Sequence, residues 1–456
     1  MRYHIWTIGC QMNVADSQRV AAGLERLGYT PVERAPQADV LVLNTCVVRQ
    51  QPEDKVVGRL NQLKHFKERH PDRVLALMGC MVGIKDTGRL QERFPWVDLF
   101  LPPSDPTELW AYLAERGDLG EAQTLIADAE SRRLALSRTD TILPPSSKAT
   151  VVSTYLPVVL GCSHACTYCV IPYRRGAERS RPMAAVVAEA RQMADQGVQE
   201  ITLLGQIVDR YGYDLGAFAQ ADTTPLVTLL YAVHEIEGLQ RLRFLTSHPN
   251  WMKDDLLRAV ADLPKVCPHI EVPVQAGDDE VLTRMRRGYT VNDYRQMIAR
   301  IRTIIPGVSI ATDIIVGFPG ETEAQFQNTY DLLEELRLDR AHIARYSARP
   351  LTLATRQFQD TLPHEEKEQR RRALDNLQSE ILSDLNRRYM GQSVEVLVEG
   401  WHARKRRWFG RTLTDRLVFF SGDPDGDWLG RLARVEINWT GPWSLIGEVQ
   451  PKPEAT

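Results

Sequence analysis

No stretch of the 456-residue sequence approaches the roughly 18 uninterrupted apolar residues that a membrane-spanning helix requires. The segment Met1–Gln11 lacks the long apolar core of a secretory signal peptide. Internal repeats and low-complexity tracts are also missing, which argues against a fibrous or disordered chain. The sequence therefore predicts a cytoplasmic protein that has no membrane partner and needs to be no more than a monomer.

Cysteine and excess charge of one sign are both scarce. Seven cysteines are too few and too scattered for a disulfide-dense secreted scaffold, and in a reducing cytosol clustered thiols more often indicate metal binding or catalysis. The chain has 56 Lys and Arg against 59 Asp and Glu, a formal net charge of −3. This total does not indicate nucleic-acid binding, although it can hide a local basic patch.

The length leaves room for roughly three domains of ~150 residues. Over residues 1–118, short apolar runs alternate with helix-like segments, as in a domain built on a parallel sheet. The predicted strands are His4–Gly9, Asp39–Thr45, Arg73–Gly79 and Val97–Leu101, and the predicted helices are Asp16–Leu27 and Glu53–Lys67. Each of the first three strands ends at a cysteine. Residues 119–150 lose the pattern and are predicted to be a linker.

Residues 151–388 contain six strand candidates separated by helix-like segments. Six βα units fall short of the eight that close a TIM barrel, so the prediction is a partial (β/α)6 TIM-like barrel. In such a fold the chemistry belongs at the carboxyl ends of the strands. The strand candidates are Leu156–Leu160, Glu200–Gly205, Leu242–Ser247, His269–Gln275, Val308–Gly317 and Ala341–Ser347. The helix candidates are Met183–Gln196, Leu226–Glu237, Asp254–Asp262, Val291–Ile305, Glu321–Leu336 and His364–Tyr389.

Residues 389–452 change to short β-type runs separated by Gly, Asp and Pro, which favours a small β-barrel. The fold class is therefore α/β with a C-terminal β appendage. A basic run lies beside aromatic residues in this segment, a combination that suits RNA loops but also an ordinary solvated hairpin. The basic residues are Arg404, Lys405, Arg406, Arg407 and Arg411, and the aromatic ones are Trp401, Trp408 and Phe409.

The strongest chemical signal is the C-x3-C-x2-C spacing of Cys162, Cys166 and Cys169 directly after a predicted strand. Zinc sites usually use paired C-x2-C motifs or histidine partners, and this segment supplies three thiols. Three soft thiolates fit a [4Fe–4S] cluster whose fourth iron stays open for a small chelating ligand. A zinc protein and three structural cysteines are the alternatives.

Cys10, Cys46 and Cys80 form no local motif, because 36 and 34 residues separate them. Each nevertheless follows an apolar strand of the predicted parallel sheet, and ligands gather at the carboxyl ends of such strands. The three thiols could therefore hold a second iron–sulfur cluster. Free cysteine is often buried, so three structural cysteines are the alternative here too. Cys267 belongs to neither triad and is predicted to be a small buried hydrophobe.

The cysteine motifs and the βα units resemble the radical SAM superfamily and, within it, the methylthiotransferases, over nearly the whole chain. In the first part the resemblance rests on Gly9-Cys10-Gln-Met-Asn13-x-x-Asp16-Ser17, Asn44-Thr45-Cys46 and Gly79-Cys80. In the second it rests on Gly161-Cys-x3-Cys-Thr-Tyr-Cys-x-Ile-Pro-Tyr173-x-Arg175-Gly176-x-Glu178-x-Ser180-Arg181. Further matching motifs are Thr246-Ser-His-Pro249, Pro273-Val-Gln275, Arg284-Met-x-Arg-x-Tyr289-Thr and Asp313-Ile-Ile-Val-Gly-Phe-Pro-Gly-Glu-Thr322.

The resemblance implies two [4Fe–4S] clusters and S-adenosylmethionine (SAM) as cofactors. The six clustered cysteines would be metal ligands and catalytic: a radical generated from SAM at Cys162, Cys166 and Cys169 would abstract hydrogen from the substrate. The cluster on Cys10, Cys46 and Cys80 would carry the sulfur. Tyr168 is expected near the SAM adenine and Gln206 near the methionine amino group, with Ser247 and Asp313 on the same rim. The C-terminal segment resembles the TRAM domain, an RNA-binding β-barrel.

Met12-Asn13 and Asp16-Ser17 resemble the MiaB branch, which methylthiolates C2 of N6-isopentenyladenosine at tRNA position 37. This implies tRNA and an electron donor such as a flavodoxin or ferredoxin as partners. Sister enzymes that act on threonylcarbamoyladenosine-37 or on ribosomal protein S12 share every cysteine, and a non-catalytic RNA-binding iron–sulfur protein is a further alternative. Departures from the family pattern at Ile207, Asp209 and Ala348 bear on the substrate.

Overall fold

A computed structural model describes residues 1–48, 50–84, 87–116, 123–127, 143–147, 150–216 and 223–450. Most of the predicted linker, 119–150, lies outside the described residues. Within the described ranges, no helix is both long enough and apolar enough to cross a membrane.

The chain begins with a five-stranded parallel sheet of order β2-β1-β3-β4-β5, which confirms the predicted architecture. Its strands are β1 Arg2–Thr7, β2 Thr30–Pro31, β3 Val40–Thr45, β4 Val74–Gly79 and β5 Leu99–Leu101. Every residue of β3 and β4 is buried, because helices cover both faces of the sheet, and this explains their continuous apolar runs. The helices of this region are α1 Gln11–Arg26, α2 Gln50–Arg69, α3 Gly88–Arg93 and α4 Thr107–Ala114.

Several boundaries in this region differ from the sequence predictions, most of all the start of the first helix. β1 ends at Thr7 and α1 already begins at Gln11, five residues before the predicted start at Asp16. Asn13 lies in the first turn of α1 and Asp16 follows that turn, and the polar side chains of both residues are buried. An apolar periodicity cannot identify a helix face that buries polar groups.

The middle of the chain forms a partial barrel of six parallel strands in chain order, as predicted. Its strands are β6 Ser153–Pro157, β9 Glu200–Leu204, β10 Arg241–Leu245, β11 His269–Glu271, β12 Ser309–Val316 and β13 Arg340–Arg345. A short antiparallel pair, β7 Val159–Leu160 and β8 Arg179–Ser180, is inserted after β6. The ladder is interrupted between β10 and β11, where the Ser247 backbone N–H donates to the Glu271 carbonyl at 3.0 Å.

Helices cover the outside of this partial barrel and bury one continuous apolar core against it. They are α5 Ile171–Arg175, α6 Met183–Asp195, α7 Pro225–His234, α8 Asp254–Asp262, α9 Asp279–Met285, α10 Val291–Ile304, α11 Glu323–Leu336, α12 Leu353–Gln357 and α13 His364–Arg387. The bounds of α8 are those predicted, whereas α5, α9 and α12 were missed because five to seven residues show too little periodicity. Leu374, Leu377, Ile381 and Leu385 are spaced as one apolar stripe of α13, as the sequence predicts; the first three are buried and Leu385 is half-buried.

The C-terminal residues form a closed five-stranded barrel of order β14-β15-β16-β18-β17. Its strands are β14 Ser393–His402, β15 Arg407–Arg411, β16 Leu417–Ser421, β17 Leu432–Thr440 and β18 Leu445–Val449. Trp408 is 6% exposed and its indole N–H donates to the Asp423 carbonyl at 2.8 Å. Trp408 therefore belongs to the core of this barrel and not to the exposed surface that the basic run beside it had suggested.

The small barrel is attached at the amino ends of the core strands. Two buried arginines of β10 hold its β15–β16 loop: Arg241 donates to the Arg411 carbonyl at 2.6 Å, and Arg243 donates to the Thr412 carbonyl at 2.8 Å. Arg416 adds a buried ion pair to Asp339, the residue before β13. These contacts fix the small barrel to the end of the core that lies opposite the carboxyl ends of the strands.

Candidate active site

A cavity of about 520 Å³ lies at the carboxyl ends of the core strands, where the N-terminal sheet faces them. All ten residues that the sequence singled out line it: Cys10, Cys46, Cys80, Cys162, Cys166, Cys169, Tyr168, Gln206, Ser247 and Asp313. Cys267 is not part of the lining and is 1% exposed near Arg243 and Glu200. The two cysteine triads, far apart in sequence, thus face one shared space.

The first triad is positioned by side-chain amides that link α1 to the end of β3. The amide N–H of Asn13 donates to the Asn44 side-chain oxygen at 2.8 Å, and the Asn44 amide donates back to the Asn13 carbonyl at 2.8 Å. Asn44 also donates to the Ser17 hydroxyl at 3.0 Å. Both asparagines are fully buried, so these bonds fix the loops of Cys10 and Cys46 relative to each other.

Gly79 brings Cys80 against the loop of Cys46. Its φ of +100° is unfavourable for other residues, and a Cβ here would lie 2.5 Å from the Thr45 carbonyl oxygen. The close approach lets the Cys80 backbone N–H donate to that same carbonyl at 2.9 Å.

The second triad occupies the loop between β7 and α5. Gly161, with φ +71°, allows the turn into it, since a Cβ would lie 2.2 Å from the Ala177 carbonyl oxygen. The Cys162 backbone N–H then donates to the Gly176 carbonyl at 3.0 Å. Thr167 fastens the middle of the loop to the core through a hydroxyl bond of 2.8 Å to the Arg284 carbonyl.

The thiols of each triad influence one another electrostatically. Burial, together with the neighbouring Cys80 and Cys10, raises the pKa of Cys46 to about 11. Burial also raises the pKa of Cys162 to about 11 and that of Cys169 to about 12. Three thiolates so close together in a buried site need a bound cation or metal group to be stable.

Cys166 differs from the other thiols of its triad. Burial acts to raise its pKa, but a hydrogen bond with His164 and the charge of Arg287 outweigh it and lower the pKa to about 7. The guanidinium of Arg287, itself buried, donates to the Cys166 sulfur at 3.3 Å. In the first triad, the buried Arg175 donates to the Cys80 sulfur at 3.1 Å in the same way.

These donor sets fit iron–sulfur clusters. Within the ranges that the structure describes, no three His, Cys, Asp or Glu side chains enclose a space suited to a single metal ion. Three thiols with one buried arginine at each end of the cavity suit a larger group that is bound by thiolates and carries net negative charge. The arginines would balance that charge, and without thiolates they would be costly to bury.

Several polar atoms in the cavity have no hydrogen-bond partner among the described residues. They include the Ser247 hydroxyl and the Nε2 atoms of His164 and His248. Burial lowers the pKa of His248 to about 2, so its ring is neutral, and its Nδ1 accepts from the Asn250 backbone N–H at 3.3 Å. Nε2 of His248 therefore carries the proton and offers a donor to a polar ligand.

The cavity lining also includes polar residues that had no predicted role. His248, Gln275 and Arg287 lie within the motifs of the family resemblance, whereas Glu271 and His342 were missed altogether. Burial and the neighbouring Asp313 raise the pKa of Glu271 to about 8. The signal that could have found Gln275 is its position at the end of the predicted fourth strand. Glu271 was placed inside that strand, which ends at Glu271 in the structure.

Of the three departures from the family pattern, Ile207 alone lines the cavity, where it packs against Cys162 and Ile171. Asp209 is buried behind it, and its carboxylate accepts the His248 backbone N–H at 3.0 and 3.1 Å. Ala348 is exposed and outside the lining. Two of the three therefore do not reach the space in which a substrate would react.

Three family profiles match the chain. The radical SAM superfamily matches residues 156–333, the uncharacterized protein family UPF0004 matches residues 2–102, and the TRAM domain matches residues 387–450.

Similar proteins over nearly the full length carry one name, tRNA-2-methylthio-N6-dimethylallyladenosine synthase. The protein from Roseiflexus sp. is 49% identical, over 98% of this chain and 89% of its own length. That from Chloroflexus aurantiacus is 47% identical, over 98% of this chain and 91% of its own length. That from Herpetosiphon aurantiacus is 45% identical, over 98% of both chains.

Solved structures with a similar fold include the radical S-adenosylmethionine methyltransferase TsrM from Kitasatospora setae. The structure with cobalamin and a [4Fe–4S] cluster bound has a TM-score of 0.52 and 14% sequence identity, and the alignment covers 77% of this chain and 76% of that one. The structure of the same enzyme with tryptophan and a SAM analogue bound has a TM-score of 0.50, and the alignment covers 75% of this chain and 72% of that one. At this identity the likeness concerns the fold alone.

Proposed function

Because the chain belongs to the family of tRNA-2-methylthio-N6-dimethylallyladenosine synthases, we propose that it adds a methylthio group to C2 of N6-isopentenyladenosine at tRNA position 37. N6-isopentenyladenosine and N6-dimethylallyladenosine are two names for the same nucleoside. The observation that supports this most is the convergence of both cysteine triads on one cavity. A radical made at one end of that cavity reaches a base that also faces the sulfur at the other end.

Cys162, Cys166 and Cys169 would hold a [4Fe–4S] cluster with one iron open to SAM, and Cys10, Cys46 and Cys80 would hold a second cluster. When bound, these groups supply the 5′-deoxyadenosyl radical that removes hydrogen from C2 of the adenine and the methylated sulfur that replaces it. Arg287 and Arg175 stabilise the thiolates, and the buried walls of the cavity keep water from the radical.

The remaining polar side chains of the cavity would bind and orient SAM. The Ser247 hydroxyl and the Nε2–H of His248, which lack partners among the described residues, offer two such polar groups. We assign Tyr168 to the adenine, Gln206 to the methionine amino group, and Asp313 to the rim that completes the site.

The other parts of the chain would serve the substrate and the electron supply. Residues 1–118 and 151–388 would form the two catalytic domains, and 389–452 a domain that binds tRNA. Arg404, Lys405 and Arg406 are exposed on the β14–β15 turn and could neutralise phosphates of tRNA. A flavodoxin or ferredoxin in the cytoplasm would supply electrons to a monomeric enzyme.

The direct test is anaerobic reconstitution with iron and sulfide, followed by SAM, a reductant and tRNA that carries isopentenyladenosine-37. Mass spectrometry of the digested nucleosides should detect a methylthio adduct on that base. Cys166→Ala should abolish 5′-deoxyadenosine formation, whereas the matched variant Cys267→Ala, outside the cavity, should retain it.

Formation of 5′-deoxyadenosine without a modified base would place the substrate elsewhere, on threonylcarbamoyladenosine or a ribosomal protein. Absence of both products from an iron-replete sample would contradict the enzymatic function itself and would favour the RNA-binding iron–sulfur protein.

A further inference from the structure

Arg175 connects the two halves of the candidate active site. It ends α5, six residues after Cys169, and so belongs to the loop that carries the second triad. Its guanidinium nevertheless reaches the first triad, where Nε lies 3.1 Å from the Cys80 sulfur. The side chain is 3% exposed, so this contact is shielded from water.

The surroundings of Arg175 leave its charge poorly compensated. Nη1 lies 3.6 Å from a carboxylate oxygen of Asp16 and 3.3 Å from the Ser104 hydroxyl. Among the described residues, Nη2 and both Asp16 oxygens have no hydrogen-bond partner. A buried charge with so few hydrogen bonds acts strongly on its neighbours, because little water screens it.

Arg175 also separates two cavities. On one side lies the cavity lined by the six thiols, and on the other a space of about 370 Å³ that Arg19, Arg179 and Arg181 line together with Arg175. Cys80 lines the first cavity and not the second. The guanidinium thus stands between Cys80 and a second opening toward solvent.

We propose that Arg175 is a positioning residue that sets the reduction potential of the group held by Cys10, Cys46 and Cys80, with Asp16 acting on that potential in the opposite sense. This inference rests on the proposed function, which places a [4Fe–4S] cluster on that triad. A positive charge and an N–H donor at a ligating sulfur favour the reduced, more negative state of a cluster and so raise its potential. Asp16 is the buried negative charge beside it.

An arginine suits this position better than a lysine would. Its planar fork reaches the sulfur of Cys80 through Nε while Nη1 faces Asp16 and Ser104. A lysine could bring a charge near the sulfur but could not make these contacts together. Because Arg175 also belongs to the loop of the second triad, it holds both triads in one fixed arrangement.

The test uses the full-length chain with Cys162, Cys166 and Cys169 replaced by alanine, so that the first triad alone can bind a cluster. After anaerobic reconstitution, iron content is measured and the midpoint potential is determined by a redox titration followed by electron paramagnetic resonance. The variants compared in this background are Arg175→Gln, Arg175→Lys, Asp16→Asn and Arg179→Gln. Arg179 is an exposed arginine of the same segment, so its charge is screened by water.

We expect the midpoint potential to fall in Arg175→Gln, to rise in Asp16→Asn, to change less in Arg175→Lys and to stay constant in Arg179→Gln. Shifts of opposite sign from two neighbouring substitutions distinguish an electrostatic role from a merely structural one. Unchanged potentials in both Arg175→Gln and Asp16→Asn, or shifts in the same direction, would overturn the inference.

If Arg175→Gln binds no iron, the decision rests on Asp16→Asn, whose potential must still rise, and on Arg175→Lys, which must still bind iron. If the parent chain without the second triad binds no iron, the second cluster of the proposed function is wrong, and the inference falls with it. By contrast, if the parent chain binds iron but its midpoint potential does not depend on Arg175, the inference alone is overturned and the second cluster stands.

Discussion

Arg349 forms a buried ion pair with Glu53 across the boundary between the core and the N-terminal sheet domain. Arg349 follows β13, and Glu53 lies in the first turn of α2, the helix that comes after Cys46. The same guanidinium donates to the Gln50 side chain at 2.7 Å. The pair therefore holds the loop of Cys46 against the core.

Replacing Arg349 with alanine should lower the free energy of unfolding by about 2–4 kcal/mol, because it leaves Glu53 and Gln50 without their partner in a largely buried contact. Denaturant unfolding measures the change. Arg295→Ala serves as the control, since Arg295 pairs with Glu335 in the open and its removal should change stability by less than about 1 kcal/mol. Equal effects from both variants would contradict the structural role of Arg349.

Gly161→Ala should abolish binding of a cluster at the second triad. The new Cβ would collide with the Ala177 carbonyl at a φ that alanine rarely adopts, so the loop before Cys162 must shift. Iron per polypeptide is expected to fall by about half, and cleavage of SAM should disappear. Gly58→Ala is the control, because Gly58 lies on α2 with open space around its Cα. A normal iron content in Gly161→Ala would show that the loop tolerates the side chain.

Asp209 should make stability depend on pH. Burial raises the pKa of its carboxyl to about 7, so between pH 4 and 7 the folded state holds a proton that the unfolded state has released. The free energy of unfolding should therefore decrease as the pH rises through this window, by about 4 kcal/mol from this group. Thermal unfolding from pH 5 to 8 measures it.

Asp209→Asn should flatten that part of the pH profile and make the protein more stable than the parent above pH 7. The amide keeps an oxygen that can accept the His248 backbone N–H, so the hydrogen bond survives without the titrating group. A profile that keeps its slope in the variant would assign the pH dependence to other groups.

The double substitution Arg404→Gln and Arg406→Gln should weaken binding of tRNA without changing the stability of the small barrel. Both side chains are exposed on the β14–β15 turn, and each phosphate that the variant no longer neutralises should reduce the slope of log affinity against log salt by about one. Affinities measured over a range of salt concentrations test this. Arg431→Gln is the control, since Asp427 already neutralises that arginine on the same barrel.

Sequence patterns predicted the elements whose packing is apolar and missed the boundaries that polar groups or proline determine. β3, β4 and β9 were found within one residue because their runs are buried throughout. β11 was predicted to reach Gln275 but ends at Glu271, since Pro273 cannot donate to the ladder and Gln275 has a φ of +75°. The early start of α1 was missed because it buries Asn13 and Asp16.

The same distinction applies to the site. The six thiols could be predicted, because their spacing and their place after strands are local features of the sequence. The arginines that contact them could not, since Arg175 is 95 residues from Cys80 and Arg287 is 121 residues from Cys166. The Arg175–Cys80 contact follows from how two domains pack, and the Arg287–Cys166 contact from how distant segments of the core fold together. The sequence pattern carries no information about either.

The small barrel is fixed to the amino ends of the core strands, and the cavity opens at their carboxyl ends. A strand of eight residues such as β12 is about 26 Å long, so a distance of this order separates the two sites. An RNA held by both must run along the flank of the core for its whole length. A short oligonucleotide could fill the cavity yet leave the barrel empty, so we expect a modified base in a full-length RNA to be bound more tightly than the same base in a short fragment.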